Sequence, residues 1–110
     1  MRKNSATPTS NLPEPAGAEI LYDWHDGDRY FYGESWPLPA GQWTEEARVA
    51  IQGRQFENGK IEYEIAVGHF HPDMPMSDDE ALRLALTLIE AVRAVQDAKK
   101  SDAKAMQTPN

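Results

Sequence analysis

Along residues 61–67 apolar and polar side chains alternate, with Ile61, Tyr63, Ile65 and Val67 on one side of an extended chain and Glu62 and Glu64 on the other. Such alternation predicts a strand with one buried face. Upstream, Val49, Ala50 and Ile51 lead through Gly53 to Phe56 and the step Asn58-Gly59, which suits a two-residue type I′ hairpin turn. That turn pairs Glu57 with Lys60 and sets Gln52 opposite Ile65, which points Val49 and Ile51 away from the core. One extra residue near Gly53-Arg54 brings Ile51 opposite Ile65 and Val49 opposite Val67, so the pattern predicts a β-bulge at Gly53. An unbroken ladder from Phe56 to Val49 contradicts it.

In the last third of the chain the apolar period changes from two to about 3.6. Ser77 and Glu80 form a capping box, and Asp78 and Asp79 favour the positive end of the helix dipole. The helix expected over residues 77–98 carries two apolar stripes side by side: Leu82, Leu86, Ile89 and Val92, and then Leu84, Leu88, Ala91 and Val95. Together they exceed the stripe of about 100° that a helix on one face of a small sheet needs. The first stripe, with Ala85, is assigned to the sheet, giving a core of Ile51, Ile61, Tyr63, Ile65, Val67, Leu82, Ala85, Leu86, Ile89 and Val92. On this assignment Leu86→Asp abolishes folding by burying an unpaired charge. The second stripe is covered either by the loop over residues 36–43 and the aromatic first hairpin, or by the same face of a second copy in a homodimer.

The first hairpin is read from residues 19–24 and 29–36, both rich in aromatic and aliphatic side chains, with Asp26-Gly27 as its turn. The run Tyr30-Phe31-Tyr32 interrupts strict alternation. Residues 1–16 contain three prolines among Ser, Thr and Asn, and residues 99–110 are small and polar, so both ends are expected to be disordered. The prediction is an α+β fold: one domain over residues 17–98, a mainly antiparallel β-meander of about four strands (19–24, 29–36, 43–56 and 61–70) with one C-terminal α-helix packed on one face.

Charge and composition narrow the function. Among 110 residues there are 11 Lys and Arg against 18 Asp and Glu, a net charge of −7, which opposes direct binding of nucleic acid or of an anionic membrane. The acidity lies in the domain itself, where residues 17–100 hold eight basic against sixteen acidic side chains. There is no cysteine, so disulfides, thiolate catalysis and cysteine-ligated metal centres are unavailable. With no apolar run of membrane-spanning length and no signal-peptide pattern, a cytoplasmic protein is expected.

The candidate chemical sites are few. His69 and His71 alternate on a strand end and with His25, Asp23 or Asp73 could hold a metal, but the spacing matches no zinc signature, Pro72 ends the strand, and solvent-facing histidines are the favoured reading. The acidic segment from Asp23 to Asp28 lacks the ligand order of a calcium loop and reads as a solvated hairpin turn. Ser35 has no base partner, and Glu62 and Glu64 share an open strand face with no pocket to separate their pKa values. No catalytic residue, metal ligand or cofactor is therefore predicted, and an enzyme is disfavoured.

The segments Ser35-Trp36-Pro37, Val49-Ala50-Ile51-Gln52-Gly53-Arg54-Gln55 with Asn58-Gly59, and Pro75-Met76-Ser77 before an Ala/Leu-rich helix resemble small uncharacterised proteins of actinobacteria and their phages. In those, a short β-sheet precedes a single C-terminal helix. The resemblance spans residues 30–98, carries no active-site residues, and implies a cytoplasmic accessory protein, consistent with a prophage origin. The leading functional expectation is a non-enzymatic interaction module that self-associates and whose acidic surface engages a basic protein. Its candidate interaction residues are Leu84, Leu88, Ala91 and Val95 on the helix, with Trp24, Trp36 and Trp43 as aromatic anchors. The alternatives are a small-molecule- or metal-binding protein, or minor hydrolase, using His25, His69 and His71, and an acidic phage-type inhibitor of a basic protein.

Overall fold

A computed structural model of the chain describes residues 12–38, 47–68 and 76–107. Strands β1 (Ile20–Leu21), β2 (Asp28–Pro37), β3 (Arg48–Phe56) and β4 (Ile61–Gly68) form one antiparallel sheet in sequence order, followed by helix α1 (Asp78–Gln107). This is the single-helix α+β meander expected from the sequence pattern.

Local turn chemistry sets the registers. Asp26 and Gly27 take φ of 54° and 93°, and His25 and Asp28 exchange backbone hydrogen bonds of 2.7 and 3.3 Å, which defines a two-residue type I′ turn. The β3–β4 turn differs from its expected form. Phe56 donates to the Lys60 carbonyl at 2.8 Å, Gly59 donates to the Phe56 carbonyl at 2.9 Å, and Gly59 alone of the loop residues has positive φ, at 94°. The loop is therefore three residues long, a type I turn closed by a glycine G1 bulge. Asn58 Oδ1 favours it by accepting from Lys60 N–H at 2.9 Å.

This turn supplies the extra residue that the hydrophobic pattern demands. Val49 pairs with Val67 and Ile51 with Ile65, in an unbroken ladder that reaches Gln55 and Ile61. The bulge expected at Gly53 is absent, since the offset is already absorbed at Gly59. Gly53 has another purpose: a Cβ there would collide with the Glu62 carbonyl oxygen and come within 2.7 Å of Phe31 Cζ. Phe31 and Tyr63 flank Gly53 on its two neighbouring strands and meet edge to face, with centroids 5.4 Å apart. The sheet does shift register between Tyr32 and Ser35 on β2, where Gly33 and Glu34 together oppose Ile51. That shift brings Trp36 opposite Val49, where it packs on the core.

The helix presents the opposite stripe from the one assigned by its sequence. Ala91 is fully buried and Val95 nearly so, and Leu84 and Leu88 pack against the cluster of Leu38, Ala47, Val49 and Ala91. Leu82, Leu86, Ile89 and Val92 are 58, 57, 48 and 43% exposed, and Ala85 and Val67 are also exposed. The candidate interaction residues Leu84, Leu88, Ala91 and Val95 thus cover the chain's own sheet, and the expected core stripe faces outward. The reason lies in continuity. At three- and four-residue steps the stripe from Leu84 through Ala91 and Val95 continues to Ala98 and Asp102, which meets the sheet, whereas the stripe from Leu82 and Leu86 runs into Arg93, Gln96 and Lys100.

Residues 12–16 and 99–107, expected to be disordered, both take part in the fold. The helix starts with the expected box, Ser77 N–H donating to Glu80 Oε1 at 2.8 Å and Glu80 N–H to Ser77 Oγ at 3.1 Å. It then passes the expected end at Ala98 and continues to Gln107, a stretch rich in Ala and Lys that contains no Gly or Pro. Residues 12–16, within the arm expected to be disordered, lie against the sheet: Pro15 is buried, and the Pro13 carbonyl accepts from Gln55 Nε2 at 2.8 Å. Gln55, 1% exposed, also accepts from Arg29 Nε at 2.8 Å, so a buried amide is satisfied on both of its polar atoms.

Two substitutions distinguish the helix faces. Ala91→Asp is expected to cost about 4 kcal/mol or more and to abolish cooperative thermal unfolding, whereas Leu86→Asp, first expected to unfold the chain, should retain a cooperative melt by circular dichroism.

Candidate functional site

The sheet has helix and N-terminal segment on one face; its other face is built from alternate residues in transverse rows. Pairing places Tyr30, Arg54 and Glu62 in one row and Tyr32, Gln52 and Glu64 in the next, with Ile20 beyond Tyr32. Ser35, Ala50 and Ala66 make a third row of small side chains. Ile20, Tyr22, Tyr30 and Tyr32 are all exposed, and Tyr22 meets Tyr32 edge to face at 5.9 Å. A shallow cleft of about 350 Å³ lies over the first two rows.

The first row carries its own cation. The Arg54 guanidinium lies 5.6 Å from the Tyr30 ring centre and 5.1 Å from that of Phe56, and pairs with Asp28 at 3.4 Å and Glu62 at 3.7 Å. Lys60 also reaches Glu62, at 3.6 Å. In the second row a neutral amide stands where Arg54 stands in the first: Gln52 Nε2 donates to Glu64 Oε1 at 3.2 Å.

A second polar cluster joins the N-terminal segment, β4 and α1. Asp102 Oδ1 accepts from Ala16 N–H at 2.8 Å, and Asp102 Oδ2 accepts from the Tyr63 hydroxyl, which also lies 3.1 Å from the Ala16 carbonyl oxygen. Burial pushes the Tyr63 pKa above its ordinary value, and the Asp102 hydrogen bond and charge push it the same way. A phenol held neutral in this way is a poor general base, so the cluster serves as a clamp. Burial lowers the Arg29 pKa, with Glu14 opposing, beneath a stack of its guanidinium 4.6 Å from the Trp24 ring centre.

The candidate residues from the sequence scatter over this frame. Trp36 belongs to the core, Trp24 is half-buried against Arg29, and Trp43 lies outside the described residues. His25 sits at the exposed β1–β2 turn beside Asp26, 3.2 Å away, while His69, His71 and Asp73 lie outside the described residues. Among the described residues no group of three or more His, Asp or Glu side chains is arranged to hold a metal. No described helix is long and apolar enough to cross a membrane. Ser35 faces Ala50 on the open face.

No family model, curated protein or solved structure matches the chain. Its functional reading therefore rests on two surfaces, the outward stripe of α1 and the tyrosine-bearing sheet face. The sequence signal for the second was the run Tyr30-Phe31-Tyr32, which gives β2 apolar side chains on both faces.

The Tyr63 clamp has a pH signature. A proton held more tightly in the folded than in the unfolded chain stabilises the fold below the phenol's ordinary pKa of about 10 and loses that contribution as the pH rises above it. Thermal stability should thus begin to fall near about pH 10 and keep falling as the pH rises further, and Tyr63→Phe should flatten the fall while lowering stability at neutral pH. Equal pH slopes for the two proteins would contradict the clamp.

Proposed function

We propose that the chain is a non-enzymatic interaction module that self-associates through the outward stripe of α1. The observation that supports this reading is the exposure of Leu82, Leu86, Ile89 and Val92 on successive turns of a helix whose opposite side is already packed. Single exposed apolar residues are ordinary, but a contiguous helical stripe is a feature of partner-binding surfaces. The core adds a reason. Among the described residues few large side chains are fully buried, and a small domain with little buried apolar area gains stability from assembly.

The order of charges favours a second copy as the occupant. Asp78 and Asp79 precede the stripe, and Arg93 and Lys100 follow it on the same side of the helix. Two copies crossing antiparallel about a two-fold axis near Ile89 bring Leu86 to Val92 and Asp78 to Lys100. A parallel pair instead sets each acidic first turn against its twin. Like charges would then meet at both ends.

Sedimentation velocity over a concentration series tests this reading. The expected result is a monomer–dimer equilibrium that Leu86→Asp shifts to monomer while the melt stays cooperative. A monomer at every concentration for the unsubstituted chain would rule out self-association.

A further inference from the structure

The outer face of the sheet contains a worked example of how it holds a cation. In the Tyr30–Arg54–Glu62 row, the Arg54 guanidinium lies against two aromatic rings and within ion-pair distance of Glu62 and Asp28. The neighbouring row repeats the flanking groups, a tyrosine on β2 and a glutamate on β4, around Gln52 on β3. Tyr32 and Glu64 are both exposed, and Glu64 accepts from the neutral Gln52 amide. We propose that the Tyr32–Gln52–Glu64 row binds the guanidinium of an arginine carried on a basic protein partner, repeating between chains the arrangement that Arg54 makes within this one.

The chemistry selects arginine over other cations. A planar guanidinium stacks on an aromatic face and presents parallel N–H donors to a carboxylate, whereas an ammonium is a compact, strongly hydrated charge. Arg54 does not repel the incoming cation strongly, because Asp28 and Glu62 already compensate it. The adjoining Ser35, Ala50 and Ala66 row leaves a low floor where the backbone of an extended segment can approach. The net charge of −7 supplies the long-range attraction for a basic partner. This inference rests on the reading of the chain as an interaction module but is independent of its self-association, since the sheet face and the α1 stripe lie on opposite sides.

The probe is a blocked tetra-arginine peptide titrated into the full chain and followed by amide chemical shifts, with tetra-lysine as the equally charged control. The expected result is a set of shifts centred on Tyr32, Gln52 and Glu64, and weaker, diffuse binding of tetra-lysine. Gln52→Arg fills the row from within and should weaken tetra-arginine binding about tenfold, as expected for loss of an exposed cation–π contact together with a carboxylate contact. Glu64→Gln should weaken it similarly, while Glu57→Gln, the same charge change at an exposed turn residue, should not. Both exposed-site variants are checked for an unchanged melt, and Leu86→Asp should bind tetra-arginine normally even if it no longer dimerises. Absence of binding, equal binding of tetra-lysine, shifts spread over the whole acidic surface, or equal effects of Glu64→Gln and Glu57→Gln would each overturn the proposal.

Discussion

The structure depends on which side of a doubly apolar helix lies on the sheet. Ala91 meets the core formed by Val49, Ala47 and Leu38 with no exposed surface. An alanine at that point lets the helix backbone approach closely, while Leu84 and Leu88 on one side and Val95 on the other fill the flanks. Farther along the same face, Asp102 ties the helix to Tyr63 and to the Ala16 backbone. One straight contact line therefore serves a helix of 30 residues. The competing line through Leu82 and Leu86 ends among Arg93, Gln96 and Lys100 and has nothing with which to grip the sheet's far end.

That choice creates the surfaces on which function is argued. Packing one stripe leaves the other in solvent, and covering one sheet face leaves its reverse open. The two exposed surfaces differ in kind. The helix stripe is aliphatic and bounded by opposite charges at its two ends, which suits a twin; the sheet face is aromatic and acidic, which suits cationic side chains. The acidity noted from composition thus has a local form in Glu62 and Glu64 beside Tyr30 and Tyr32.

The features legible in the sequence were those set by near neighbours. The Ser77–Glu80 box, the Asp26-Gly27 turn, the strand alternation and the α+β class all follow from local chemistry and all occur. Between Val49 and Lys60 the pattern requires one extra residue, which it places in the strand at Gly53; the hydrogen bonds of Phe56 and Gly59 place it in the loop instead. The sequence pattern does not separate the two helix faces within residues 77–98; Asp102, which ties the Leu84–Val95 side to Tyr63 and Ala16, lies beyond that span. The order in residues 12–16 depends on Gln55 and Asp102, partners 42 and 86 residues away, and nothing in a Pro-rich composition announces them. The aromatic outer face was partly visible in the unbroken run Tyr30-Phe31-Tyr32, which breaks the alternation expected of a strand with one wet side.

The orientation of α1 is the claim on which both surfaces rest, and methyl nuclear Overhauser contacts measure it directly. At concentrations low enough to exclude association, the Ala91 methyl should show contacts to the Val49 methyls, and the Leu86 and Ile89 methyls should show none to the sheet. Contacts from Leu86 or Ile89 to Val49, with Ala91 free of them, would contradict the account.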